Sequence, residues 1–151
     1  MQPDLDQLMK QALQEAGEGF RCGEVPVGAV LARLDGGIVA KAYNQPIRLN
    51  DPTAHAEILA LREGSRVCHN YRMPGTILVV TIEPCLMCMG AIMNARVGHL
   101  VFGAPDPKGG AAGSLYDIAG DGRLNHRIKV TSGVMEDECR NLIQDFFKIR
   151  R

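Results

Sequence analysis

Thr76-Ile77-Leu78-Val79-Val80-Thr81-Ile82, followed directly by Glu83-Pro84-Cys85-Leu86-Met87-Cys88, decides how this chain folds. The first seven residues are almost wholly apolar and rich in β-branched side chains, so they read as a central strand buried on both faces. The residues from about Cys85 to Arg96 read as the helix that follows. A strand of this kind needs cover on both sides, and the flanking sequence supplies it.

Upstream, Leu5, Leu8, Met9, Ala12, Leu13, Ala16 and Phe20 recur at spacings of three and four, which marks one face of a helix over Asp4 to Arg21. Val27 to Arg33 and Ile38 to Tyr43 are β-prone runs around Asp35-Gly36-Gly37, and they read as a hairpin. Asn44 to Thr53, with Pro46, Asp51 and Pro52, is turn chemistry leading into a helix that begins near His55. Downstream, His99 to Phe102 and Ile128 to Thr131 read as short strands. Met135 to Lys148 reads as a closing helix with Cys139, Leu142, Ile143, Phe146 and Phe147 inward. Gly103 to Asn125 is a glycine-rich loop, and loops of this length in a compact domain are usually functional or disordered. The element order predicts an α/β protein whose mixed sheet carries helices on both faces, as a single domain over residues 1–151.

Composition fits that frame. The chain has 151 residues, 46% hydrophobic and 23% charged, which suits one core. Seventeen basic residues balance seventeen acidic ones, so attraction to a polyanion must come from local patches rather than net charge. The N-terminus lacks the cationic start and apolar core of a secretory signal, and no run is long enough to span a membrane. Five cysteines, an odd number, fit a reducing compartment better than a disulfide framework, which points to the cytoplasm. Cys22, Cys68 and Cys139 stand alone and read as buried or half-buried free thiols.

Two short motifs carry the chemistry: His55-Ala56-Glu57 and Pro84-Cys85-Leu86-Met87-Cys88. Each sits at a predicted helix start, where unpaired backbone N–H groups stabilise thiolates. One His and two Cys meet the three-ligand count of a catalytic zinc with a fourth position open. Two thiolates and a neutral imidazole also cancel the charge of the metal. Glu57, two residues from a ligand, is placed to move protons without binding the ion. A structural zinc site would need four protein ligands, and Cys68, His69, His99 and His126 form no second matching pair. A redox Cys-x-x-Cys pair would leave the adjoining His-x-Glu unexplained.

His-x-Glu followed by Pro-Cys-x-x-Cys is the signature of the zinc deaminases. Beyond it, Glu24-Val-Pro-Val-Gly-Ala-Val, Asp51-Pro-Thr-Ala-His-Ala-Glu, Thr81-Ile-Glu-Pro-Cys, Gly110-Ala-Ala-Gly-Ser-Leu, Asn125-His-Arg and Asp145-Phe-Phe-Lys-Ile-Arg-Arg resemble the bacterial tRNA-specific adenosine deaminases over nearly the whole chain. That resemblance implies a three-layer α/β/α cytidine-deaminase-like fold with a five-stranded sheet, one zinc per subunit, and a homodimer. It implies hydrolysis of adenosine to inosine at the wobble position of an arginine tRNA, with the anticodon stem-loop as partner. By the same resemblance Asn44 hydrogen-bonds the flipped base, while Asp106 and Lys108 approach the RNA backbone. His126 and the C-terminal helix, with Phe146, Arg150 and Arg151, lie nearby. Pro105 stands where relatives commonly carry Arg, and Gly109 where Thr is usual.

Read without the resemblance, Asn44 starts a turn before Pro46, and Asp106 and Lys108 are a solvated loop pair. A deaminase of free bases or nucleotides such as cytosine, guanine or deoxycytidylate would share the zinc site. A non-catalytic zinc-stabilised RNA-binding module would have no use for Glu57. Lys108, Arg123, His126, Arg127, Lys148, Arg150 and Arg151 supply local positive charge after the glycine-rich loop and at the terminus. The Cys85–Arg96 helix is apolar on several sides at Leu86, Met87, Met89, Ile92 and Met93, which favours a dimer.

Overall fold

In the computed structural model, which describes residues 3–150, Asp4 caps the first helix by accepting the Gln7 N–H at 3.2 Å. Helix α1 runs over Leu5–Arg21 and buries Leu8, Met9, Ala12 and Ala16 along one stripe. Strands β1 (Gly28–Arg33) and β2 (Ile38–Tyr43) form the hairpin, and α2 (Pro46–Leu49) and α3 (Ala56–Cys68) follow. Then come β3 (Thr76–Ile82), α4 (Leu86–Asn94), β4 (His99–Ala104), β5 (Lys129–Thr131) and α5 (Glu136–Arg150).

The sheet order is β2-β1-β3-β4-β5. Strand β1 runs antiparallel to both β2 and β3, while β3, β4 and β5 are parallel, so the sheet is mixed. Alternation sorts its side chains onto two cores. Ala29, Leu31, Leu78, Val80, Leu100 and Phe102 face α3 and α4, whereas Val30, Ala32, Ile77, Val79 and Val101 face α1 and α5. This is the expected three-layer α/β/α arrangement, with β3 buried along nearly its whole length. No described helix is long and apolar enough to cross a membrane.

Several expectations need correction. The stretch read as a turn before His55 contains the one-turn helix α2, because Glu24, only 2% exposed, accepts the Ile47 and Arg48 N–H groups at 3.2 and 2.8 Å. Strand β4 runs on to Ala104 rather than ending at Phe102. Gly103, which reads as a loop signal, is there because a Cβ would meet Cys139 Sγ at 2.4 Å, so it lets α5 press onto the strand. Strand β5 begins at Lys129, not Ile128, and forms one edge of the sheet. Cys22 is exposed, Cys68 is half-buried and Cys139 is buried. Phe147 points outward, 47% exposed, while Phe146 packs inward edge-to-face on Phe20 at 5.5 Å. In α4, Met89, Ile92 and Met93 are used up inside the subunit, which leaves Leu86 and Met87 as its exposed large apolar side chains.

Candidate active site

The carboxyl ends of the parallel strands β3 and β4 point toward the starts of α3 and α4, the usual place for a site in an open α/β sheet. His55 is the N-cap of α3 and Cys85 the N-cap of α4. Both have extended backbone that turns the side chain off the helix end. His55 Nδ1 lies 3.6 Å from Cys85 Sγ and 3.5 Å from Cys88 Sγ. A tetrahedral zinc with bonds of about 2.0–2.1 Å to nitrogen and about 2.3 Å to sulfur separates such atoms by about 3.6 Å. The three donors, mutually within 4.8 Å, are therefore spaced to hold one ion.

The electrostatics agree with that use. Hydrogen bonds from Cys88 and His55 hold the Cys85 thiol down at about 4, and the Cys88 backbone N–H adds to the effect. Cys88 moves the other way, raised by its bond to Cys85 and by burial, so the pair holds one proton that a cation would displace. His55 is raised, chiefly through its bond to Cys85.

Glu57 sits in the first turn of α3 and is 4% exposed. Burial pushes its carboxyl up to about 7, against the lowering effects of its own backbone N–H, the nearby His55 and the Cys88 side chain. A carboxyl poised near neutrality can both take and give a proton. Asn44 does more than start a turn: its Oδ1 accepts the Ala56 N–H at 2.8 Å and so fixes the first turn of α3 between His55 and Glu57.

Asn44, His55, Glu57 and Cys85 line a pocket of about 560 Å³. Val25 and Val27 lie on one side, Pro105, Asp106 and Pro107 on another, and the α5 residues Arg140, Ile143, Gln144 and Phe147 close a third. The α5 residues recur at i, i+3, i+4 and i+7, one helix face, and that periodicity was legible in the sequence. Reading Phe147 as core hid it. Also missed was Glu83, 4% exposed, which accepts N–H groups from Asp106 and Ala112, each at 2.9 Å, and from Ser114 at 3.1 Å, together with the Ser114 hydroxyl.

The other expected residues are scattered. Asp106 lines the pocket, but its Oδ1 accepts the Lys108 and Gly109 N–H groups at 3.1 and 3.3 Å. Lys108 is exposed on the same loop. His126 Nε2 donates to the Val97 carbonyl at 2.6 Å, ahead of β4 and at the end of that strand away from the pocket. Phe146 is buried under α1, and the Arg150 guanidinium lies 4.8 Å from its ring centroid while donating to the Gly23 carbonyl. Arg151 lies outside the described residues. Of the expected basic groups, Arg123 is paired to Asp121 at 2.7 Å, and the Arg127 guanidinium donates to the carbonyls of Asp121, Gly122 and Leu124.

The profile described as the cytidine and deoxycytidylate deaminase zinc-binding region matches residues 2–104. A tRNA-specific adenosine deaminase of Haemophilus influenzae is 46% identical over 97% of this chain and 84% of its own length. One from Bacillus subtilis is 44% identical over 93% of this chain and 86% of its own length. A solved structure from work on A-to-I editing by tRNA:A34 deaminases at the wobble position of transfer RNA superposes with a TM-score of 0.87. It is 42% identical and covers 90% of this chain and 98% of that one. The chain belongs to the cytidine and deoxycytidylate deaminase family, on the branch that holds the tRNA-specific adenosine deaminases. It is a zinc-dependent deaminase, and the donor set above suits that metal.

Proposed function

We propose that this enzyme hydrolyses adenosine to inosine at the wobble position of a tRNA, an arginine tRNA by family resemblance, taking the anticodon stem-loop as substrate. The observation that carries the reading is the juxtaposition of a desolvated Glu57 with the His55, Cys85 and Cys88 donors at one pocket, in a chain 42–46% identical to enzymes of that name. His55, Cys85 and Cys88 hold the ion. When bound, zinc supplies the Lewis acidity that makes water a nucleophile near neutral pH.

Glu57 then carries the protons. It takes one from water as the oxygen bonds C6 of adenine, and delivers it to ring N1. It next takes the remaining proton from the C6 hydroxyl and passes it to the exocyclic nitrogen, so that the C6–N bond breaks, ammonia leaves and the oxygen stays as the carbonyl of inosine. Burial helps Glu57 in both directions, because a carboxyl near neutrality is neither too weak a base nor too weak an acid. Asn44, pinned by its Oδ1 at the pocket wall, keeps its amide N–H groups for the extruded base. Phe147 and Ile143 give that base an apolar flank.

Exposed Lys108, two residues beyond the pocket-lining Asp106, meets phosphate near the pocket mouth, and Lys148, exposed in the groove between α5 and α1, adds positive charge farther along the helix. The working unit is a cytoplasmic homodimer, with the exposed Leu86 and Met87 at the start of α4 as part of the contact. Purified protein is to be given an anticodon stem-loop, free adenosine, cytosine and guanine, with inosine and ammonia as readouts. Inosine in the stem-loop supports the reading. Rapid turnover of free bases with none of the stem-loop overturns it.

A further inference from the structure

The stretch Pro105-Asp106-Pro107 forms one wall of the pocket, and two of its three residues have no backbone N–H. Asp106 supplies the one backbone N–H donor of that wall, and Glu83 Oε1 accepts it at 2.9 Å. Asp106 passes the constraint on: its side chain accepts the Lys108 and Gly109 N–H groups, and its carbonyl accepts the Gly110 N–H at 2.8 Å. The chain then returns to the same carboxylate, because Ala112 N–H, Ser114 N–H and the Ser114 hydroxyl also bond Glu83. Gly110 lies where a Cβ would come 2.3 Å from the Glu83 carboxyl carbon, so the loop can wrap the carboxylate only with no side chain there.

Glu83 is itself fixed from below. Its N–H donates to the Ala104 carbonyl at 2.9 Å, and the Pro84 carbonyl next to it accepts the Ala111 N–H at 2.8 Å. Cys85 follows immediately and pairs across an isolated bridge with Gly110. The residue that clasps the loop is thus built into the backbone segment that delivers a metal donor. The clasp is one-sided, since every side-chain bond of Glu83 goes to residues 106–114 and none to a group of the reaction centre.

We propose that Glu83 is a positioning residue that holds the Pro105–Ser114 loop as a pre-formed wall of the substrate pocket. It acts on how the substrate is held, not on the metal or the proton transfer. Pre-formation spares the loop's ordering cost at the moment of binding, so its loss raises KM before it touches kcat. Only the KM arm of this inference rests on the tRNA reading.

The test compares the zinc-loaded full chain with Glu83→Gln and Gly110→Ala. Glutamine keeps one acceptor oxygen but turns an NH2 toward N–H donors, and the added methyl at Gly110 pushes on the carboxylate. Both should keep full zinc content, raise KM for the stem-loop by about tenfold, the scale of one or two charge-assisted hydrogen bonds, and leave kcat within about a factor of two. Amide hydrogen exchange over residues 105–114 should quicken in both, with α1 and β3 unchanged. Loss of zinc, a fall in kcat at unchanged KM, or unchanged exchange in that loop overturns the inference. If the wild type turns over no stem-loop, the substrate reading fails while the exchange comparison still decides the role of Glu83.

Discussion

The start of α3 and the junction of β3 with α4 each bury one glutamate to the same 4% exposure, yet the two carboxyls are driven in opposite directions. At Glu57 burial dominates and the carboxyl rises to about 7. At Glu83 burial also pushes upward, but the Ser114 hydroxyl and the N–H groups of Asp106, Ser114 and Ala112 outweigh it and hold the carboxylate below its usual range. Donor count separates them along with depth, since Glu57 is the more deeply enclosed and Glu83 the better supplied with donors. A buried carboxylate with a full set of donors is a fixed anion that organises backbone, and one left short of them is a group ready to exchange a proton.

The sharpest way to break this comparison is to remove each carboxyl. Glu57→Ala should lose activity by about 10²–10⁴-fold while keeping near-stoichiometric zinc. Cys88→Ala should lose zinc and activity together, as metal analysis beside a turnover assay will show. A Glu57→Ala protein with substantial turnover would contradict the exchangeable character assigned to that group. Glu83→Ala should instead act on stability. Leaving buried N–H groups without an acceptor costs roughly 2–4 kcal/mol in all, read as a melting temperature lower by roughly 5–15 °C.

A finer contrast lies in pH. In chelator-treated protein the native state keeps the Glu57 proton between the ordinary value of 4.5 and about 7, where the unfolded chain has lost it, so this group lowers stability as pH rises through that window. Glu83, held below 4.5, contributes stability that is fully present above 4.5 and disappears as pH falls through its lower folded value. Urea unfolding from roughly pH 3 to 8 should therefore show Glu57→Gln flattening the neutral limb and Glu83→Gln the acid limb. Equal effects on both limbs would erase the distinction. The smallest effect belongs to Ser114→Ala, which removes one of the four donors on Glu83. Stability should drop by about 1 kcal/mol, with unchanged zinc and kcat.

Much of this was legible in the sequence because it rests on local pattern. The β-branched run at Thr76–Ile82, the period of α1 and the two metal motifs at helix starts each declare themselves within a few residues. What escaped depends on distant partners. Nothing near Gly103 announces that β4 continues through it, since the reason is Cys139 on α5. Nothing near Pro46 announces α2, since its cap is Glu24 on the far side of a hairpin. The glycine-rich stretch reads as a functional or disordered loop, and its order comes from Glu83, which the sequence offers only as the residue before a Pro-Cys motif. Phe146 and Phe147 are adjacent aromatics on a helix that packs on one side and faces a pocket on the other, and composition cannot tell which ring goes where.

The brevity of β5 also bears on how the protein behaves in a crowded solution. The central strand of the sheet is a seven-residue apolar run of the kind that polymerises when its neighbours are stripped away. On one margin an incoming chain meets only Lys129-Val130-Thr131, three residues that begin with a cation. On the other it meets β2, whose pairing with β1 is broken by a register shift at Leu31 and Ala32. Short, charged or irregular margins are poor templates for extending a sheet, so the native protein screens its most aggregation-prone segment without needing a closed barrel.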